Sequence, residues 1–219
     1  MIVRNIICFD AGFQHLGYMV AQLPEEPGSK PVPVTLGVSD AVLPPKAKRN
    51  RKKTVTEYNV ERIVKQVDFV RQLHYAYNPV AYFAELPHSG AKSALAIKGM
   101  AFATAYLVTA IHMLCEPGVM RRFFLPSTIK KCLCGKSSDV SKLDIARAVI
   151  AYWPEIDDWP GFKVITKKKT KKGKKVVEED KAAAHDATDA GAVCITATCS
   201  SDYRQLWEQD CGSRYELDF

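Results

Sequence analysis

Short apolar runs separated by turn residues occupy the first forty residues of the chain. The run at residues 6–9 ends at Asp10 and is followed by Gly12 and a second apolar run at residues 16–21. A third run covers residues 32–42. Runs of this length, bounded by glycine and proline, are typical of strands joined by tight turns. The pattern therefore predicts an antiparallel meander of three strands.

The next segment has helical periodicity. Thr54 and Glu57 match a capping box, and apolar residues then recur at helical spacing until Asn78 and Pro79. A short apolar run at residues 80–84 follows and ends at Glu85. A strand that directly follows a helix is typical of a parallel crossover connection. These residues predict a long helix and then a buried strand.

The rest of the chain predicts further helices and a fifth strand. The expected elements are a small-residue helix at 93–114, a strand at 120–125, a short helix after Pro126, a helix at 140–152 and a last helix at about 181–198. Residues 99–115 are apolar but a little short to cross a bilayer, so we expect a buried helix and no membrane partner. The order of elements predicts an α/β fold with a five-stranded mixed sheet flanked by helices.

Two lysine-rich segments interrupt this pattern, at about residues 45–54 and 162–180. Such dense like charges often form only a solvated surface. Residues 162–166 and 174–177 have strand character, which predicts a basic hairpin as an alternative to a loose linker. The net charge of +7 and the pI of about 9.0 favour a polyanionic partner, without distinguishing DNA from RNA or an acidic membrane.

Length and composition predict one domain. The chain has 219 residues, of which 47% are hydrophobic, so residues 1–219 can bury a single core and carry both basic segments as insertions. Arg4 and Asp10 interrupt the apolar run that a signal peptide would need. The expected location is therefore the cytoplasm.

Four acidic residues occur in or at the ends of predicted elements that are otherwise apolar. Asp10 and Glu85 stand at the ends of predicted buried strands, where an ionised carboxylate is costly unless it is paired. Asp186 and Asp189 are three positions apart in the last predicted helix and share one face. Each residue alone has a structural interpretation, since Asp10 can cap a turn, Glu85 can pair with a lysine and Asp186 can begin a helix.

Together these four carboxylates predict a metal site. Converging carboxylates repel each other unless cations neutralise them, and oxygen ligands suit Mg²⁺ or Mn²⁺ better than zinc. Two such ions can stabilise the attacking and leaving oxygens of a phosphoryl displacement. The proximity of the two strand ends is inferred from the order of the elements rather than from spacing. The set predicts metal-dependent hydrolysis of a phosphodiester.

Segments carrying these acids match one family in the same order. The matching segments are residues 9–12 with 17–18, residues 84–85 with 92–95, residues 125–131 with Lys142, and residues 186–192. In these segments the chain resembles the RuvC family of Holliday junction resolvases. The resemblance implies a ribonuclease-H-like fold and a catalytic set that binds two Mg²⁺ ions, for which Mn²⁺ can substitute. The implied catalytic metal ligands are Asp10, Glu85, Asp186 and Asp189.

The resemblance also implies a substrate and an assembly. It implies a homodimer that binds a four-way DNA junction and nicks two strands symmetrically, leaving 5′-phosphate and 3′-hydroxyl ends. A twofold dimer matches the symmetry of such a junction. In the family the helix after the second acid contributes to the dimer interface, and here small residues such as Ala101, Ala103 and Ala105 would allow close approach. A tightly packed core helix is the alternative interpretation.

Lysines provide the expected DNA contacts. Lys130, Lys131 and Lys142 resemble the basic segment of the family and could bind phosphates. In the second basic segment the predicted DNA-binding residues are Lys168, Lys169, Lys171 and Lys172. For any one of these lysines, a role in solubility alone is the alternative interpretation. His185 is either a partner or proton carrier for the acids, or incidental.

The sequence departs from the family after Glu85. Residues 86–90 contain no clear counterpart of the aromatic wedge of the family, so a sequence preference at the cut is not transferred. The basic insertions suit a bacteriophage or other mobile-element version that also cuts flaps, three-way junctions or replication forks. A non-catalytic DNA-binding architectural protein is a further alternative. A sugar kinase or an actin-like ATPase would need later glycine-rich phosphate loops, which the sequence lacks.

Overall fold

The computed structural model describes residues 3–26, 29–41, 53–86, 93–160, 162–171, 175–183 and 186–213. Within these ranges the elements are β1 (Asn5–Asp10), β2 (His15–Gln22), β3 (Val32–Asp40), α1 (Val55–Tyr77), β4 (Pro79–Glu85), α2 (Ala94–Leu114), β5 (Met120–Phe124), α3 (Pro126–Cys134), α4 (Lys142–Tyr152), β6 (Lys163–Lys171), β7 (Lys175–Ala183), α5 (Asp186–Thr198) and α6 (Ser201–Ser213).

The first five strands form a mixed sheet in the order β3-β2-β1-β4-β5. β1, β2 and β3 pair antiparallel, as the predicted meander requires, whereas β4 pairs parallel with both β1 and β5. α1 and α2 belong to the crossover connections that parallel strands need. The expected five-stranded mixed sheet flanked by helices is confirmed, and β1 lies at its centre.

The central strand is anchored on both faces of the sheet. Ile6 and Cys8 belong to the apolar layer that contains α5, whereas Ile7 and Phe9 belong to the layer that contains α1 and α2. All four side chains are completely buried. Burial of a large apolar side chain contributes about 1.5–3 kcal/mol. The packing therefore fixes the position at which β1 ends, which is Asp10.

α1 begins and ends where the sequence predicts. The Thr54 hydroxyl accepts a hydrogen bond from the Glu57 N–H, and the Glu57 carboxylate accepts one from the Thr54 N–H. At the other end Asn78 adopts the left-handed conformation with a φ of 41°, and Pro79 begins β4. This short connection delivers β4 directly beside β1.

α2 is buried on one side only. Ala103, Tyr106 and Leu107 pack into the core, whereas Leu95 and Met113 are 81% and 82% exposed. The expectation of a buried helix is therefore wrong for the outer half of its surface. Within the described residues, α2 alone is long and apolar enough to cross a membrane, a criterion that a helix packed on a core also meets.

The prediction of a helix over residues 181–198 is wrong at its start. β7 continues to Ala183, and α5 begins at Asp186. Alanine favours helix, but β7 pairs along its whole length with β6, and this pairing overrides the local propensity. The expected basic hairpin is present, with longer strands than residues 162–166 and 174–177 indicate.

α6 has no counterpart among the predicted elements. Tyr203 and Leu206 anchor it in the core and Trp207 packs against that core, but most of its other residues are polar, so its hydrophobic periodicity is weak. Most of the first basic insertion lies outside the described residues, as do residues 87–92, Lys172 and His185.

Candidate metal centre

The two strand-end acids lie side by side. β1 and β4 are parallel neighbours, and their register pairs Asp10 with Glu85. The four residues before each acid, 6–9 in β1 and 81–84 in β4, are buried. Parallel strands end at the same edge of a sheet, so the two carboxylates share this edge. The proximity expected from the order of the elements is confirmed.

α5 places the other two acids at the same edge. Asp186 and Asp189 lie in its first turn, and the helix packs across β1 and β2. A Cβ atom at Gly17 of β2 would lie 2.0 Å from the Asp186 carbonyl oxygen, so only glycine permits this approach. The Asp189 side chain is 7% exposed. Close packing therefore brings the start of α5 onto the strand ends.

The four acids interact electrostatically. The pKa of Asp10 is raised well above its usual range, first because the carboxyl group is buried. The negative charges of Asp189 and Glu85 raise this pKa further, and that of Asp186 adds a smaller contribution. Lys142 opposes the shift. All the acids of the predicted set are thus close enough to act on Asp10.

Lys142 provides a positive charge at this site. Its Nζ lies 2.9 Å from Oδ2 of Asp189. Burial lowers the pKa of Lys142, but the charge and hydrogen bond of Asp189, with the charges of Asp10 and Glu85, outweigh burial and raise it. The sequence predicted a DNA contact for Lys142, whereas its contact with a buried acid 47 residues away could not be read from spacing.

Tyr106 is a further residue that sequence reasoning missed. Its hydroxyl donates a hydrogen bond of 2.8 Å to the carbonyl of Gly12, in the turn after Asp10. Burial, and then the charge of Asp10, raise the pKa of this hydroxyl. A tyrosine in the otherwise apolar stretch of α2 was the available signal. Tyr106 holds the turn that carries the chain from the first acid into β2.

The donor set fits a hard divalent cation. Among the residues that the structure describes, no group of three or more histidine, cysteine or acidic side chains is already gathered tightly enough to hold a metal ion. Carboxylate oxygens are nevertheless the ligands that Mg²⁺ and Mn²⁺ prefer. Since like charges that are shielded from water repel strongly, drawing these four carboxylates together requires positive charge. The raised pKa of Asp10 is consistent with this, because burial and the neighbouring negative charges make its ionised form less favourable.

The other predicted lysines belong to two further elements. Lys130 and Lys131 are on α3, where Lys130 is half-buried and Lys131 is exposed. Lys168, Lys169 and Lys171 are on β6, in the hairpin that precedes α5. Their roles in DNA binding stay predictions.

The sheet order and the flanking helices define a ribonuclease-H-like fold. Thermus thermophilus RuvC is similar, with a TM-score of 0.57 and 16% identity, covering 93% of this chain and 96% of that chain. Its complex with a Holliday junction substrate also gives a TM-score of 0.57 and 16% identity, over 88% and 92% of the chains. The yeast mitochondrial Holliday junction resolvase Ydc2 gives 0.55 and 10%, over 95% and 83%.

These proteins are similar to the chain in structure rather than in amino-acid sequence. No family model matches the sequence. No curated protein matches it. At identities of 10% and 16% the solved structures establish the fold, and the expected ribonuclease-H-like architecture is confirmed.

Proposed function

We propose that this chain is a metal-dependent, structure-selective DNA endonuclease that resolves four-way junctions. The convergence of Asp10, Glu85, Asp186 and Asp189 on one edge of the sheet carries the proposal. An acidic cluster with one buried and three half-buried members costs stability unless it serves binding or chemistry. Similarity to resolvase structures supports a junction as the substrate. The net charge of +7 supports a polyanionic one.

The four carboxylates would hold two Mg²⁺ ions, or Mn²⁺ in their place. Asp10 would serve both ions, Glu85 and Asp186 would hold one, and Asp189 would hold the other or both. When bound, the ions supply stabilisation of the attacking and leaving oxygens of a phosphodiester. Lys142 keeps a positive charge beside Asp189 and can contact a phosphate, because its side chain is 56% exposed.

A homodimer is the proposed assembly, because symmetric paired nicks need two sites. The outer side of α2 supports it. Ile97, Ala101, Ala105, Thr109 and Met113 are all exposed and follow one another at four-residue spacing. Small residues in the middle of this row allow close helix approach. Ala103, predicted as part of the same surface, is instead 1% exposed in the core.

Cleavage mapping with purified protein tests the proposal. Wild-type protein with Mg²⁺ should introduce paired, symmetric nicks in a fixed four-way junction, and ligase should seal the 5′-phosphate and 3′-hydroxyl ends. Asp10→Asn and Asp189→Asn should bind the junction but not cut it. Asp158→Asn, which changes an exposed acid outside the centre, is the matched control and should cut normally.

Each other result has a definite meaning. Undiminished nicking by both site variants would refute the assignment of the acids. Equal cutting of flaps and three-way junctions would favour the broader branched-DNA nuclease. Junction binding with no cleavage in Mg²⁺ or Mn²⁺ would favour an architectural protein.

A further inference from the structure

A cavity of about 690 Å³ adjoins the candidate metal centre. It lies between the turn after β1, the first turns of α1 and the N-terminal half of α2, and Asp186 also lines it. Ala11 and Gly12 of its wall directly follow Asp10. Its volume is within the range of about 300–1,000 Å³ that small-ligand sites occupy. A group bound here would therefore sit beside the acids.

Two aromatic rings form part of the wall. The rings of Phe13 and Phe102 have centroids 5.3 Å apart and are inclined by 38°. Neither side chain is fully buried, and Met100 extends the same apolar surface. A core would normally cover aromatic rings that it uses only for packing. Partly open rings provide instead a surface on which a flat group can stack.

Cations and an amide surround these rings. The Arg62 guanidinium lies 5.2 Å from the centre of the Phe13 ring, and the Lys98 ammonium lies 5.5 Å from that of Phe102. Asn59 adds an amide that can donate and accept hydrogen bonds. Stacking rings, nearby cations and an amide are the combination by which proteins bind an unpaired nucleotide.

We propose that this cavity binds the base of an unpaired nucleotide next to the cleaved phosphodiester. The inference rests on the proposed function and adds a residue-level basis for selectivity at the cut. Bases at a DNA branch point leave the stack at lower cost than bases within a duplex. Phe13 and Phe102 stack the base, Arg62 and Lys98 neutralise its flanking phosphates, and Asn59 reads its edge.

Fluorescence of a base analogue tests base capture without cleavage. Four-way junctions carry 2-aminopurine at single positions on either side of the cut, and Asp189→Asn protein binds them without cutting. Binding should change the fluorescence at one position through stacking on the protein. Phe13→Leu in the same background should lose that change, whereas Phe13→Tyr, which keeps a ring, should retain it. Thermal melting verifies that each variant is folded.

Cleavage of junctions that differ in this one base tests selectivity. Asn59→Ala in otherwise wild-type protein should reduce the discrimination between bases by about tenfold. Gln72→Ala is the matched control, because Gln72 is an exposed amide on the same helix outside the cavity, and it should leave discrimination unchanged.

The failures of the two proposals are distinguishable. Wild-type protein that cuts no branched DNA refutes the proposed function, and the fluorescence of bound junctions still decides whether the cavity takes a base. The cavity inference alone is refuted if the protein cuts junctions, the Phe13→Leu variant keeps the fluorescence response and the Asn59→Ala variant keeps the base preference.

Discussion

At the scale of single residues, the charge balance of the centre depends on the contact between Lys142 and Asp189. Asp189 is 7% exposed, and Lys142 reaches it from the surface with a side chain that is 56% exposed. A carboxylate in this position is tolerated because a cation compensates it. The pair therefore stabilises the folded chain while no divalent metal is bound.

Replacement of Lys142 by alanine removes this cation. In the absence of divalent metal we expect the free energy of unfolding to fall by about 1–2 kcal/mol, less than for a fully buried pair because water screens the lysine. Adding Asp189→Asn should recover most of the loss, since the buried charge is then gone. Urea unfolding of both single variants and the double variant measures this. Lys131→Ala, on the exposed side of α3, is the control, and an equal loss there would contradict the explanation.

At the scale of elements, α4 determines where Lys142 lies. Lys142 is the first residue of the helix, and Ser141 caps it in a capping box with Asp144. Hydrogen bonds from the Ser141 hydroxyl and backbone N–H hold the pKa of Asp144 below its usual value. The start of α4 is thus fixed by local contacts of the same kind that begin α1 at Thr54.

Loss of this capping box should affect both stability and cleavage. Because the pKa of Asp144 is lower in the folded state, its contribution is present at neutral pH and is lost as the pH falls below about 4. We expect Asp144→Asn to cost about 0.5–1 kcal/mol at pH 7 and much less at pH 3, measured by urea unfolding. Glu57→Gln, in the matching box of α1, should destabilise without slowing junction cleavage. Equal cleavage by both variants would show that the start of α4 does not position Lys142.

The backbone register of β6 and β7 sorts their charged positions into two alternating sets. Positions two apart along a strand belong to one set, and the register pairs Lys167 with Glu179 and Lys168 with Glu178. The set that includes Lys167, called the basic face, has six lysines and one acid, whereas the other has one lysine and two acids. The members of the basic face are Lys163, Lys167, Lys169, Lys171, Lys175, Lys181 and Glu179. The other charged positions are Lys168, Glu178 and Asp180.

Because of this difference in charge, we expect different contributions to DNA binding from Lys169 and Lys168, although the sequence predicts both as DNA-binding residues. We expect Lys169→Ala to weaken junction binding and to lower the slope of log K against log salt concentration by about one. Lys168→Ala should change both much less, because its face is not basic. Filter binding over a range of salt concentrations measures the slopes. Equal effects of these adjacent substitutions would show that both faces contact DNA.

At the scale of the whole molecule, the sequence predicts what depends on local pattern. Periodicity and caps located β1, α1 and β4, because their burial and end signals are local. The predicted start of the last helix was wrong because the pairing of β7 with β6 overrides the helix propensity of the alanines in β7. The contact of Lys142 with Asp189 was missed because packing of α4 on α5, rather than spacing, brings these residues together.

Dimer formation belongs to the same scale, and α2 is the element that tests it. A glutamate at Ala105 would place a charge in the middle of the exposed row, where two helices would approach most closely. Burying this charge in an interface is costly, so we expect Ala105→Glu to sediment as a monomer. The monomer should nick junctions singly, since paired nicks need two sites. Ala151→Glu, at an exposed alanine of α4, controls for the added charge and should remain dimeric. Paired nicking by monomeric Ala105→Glu protein would contradict the link between assembly and symmetric cleavage.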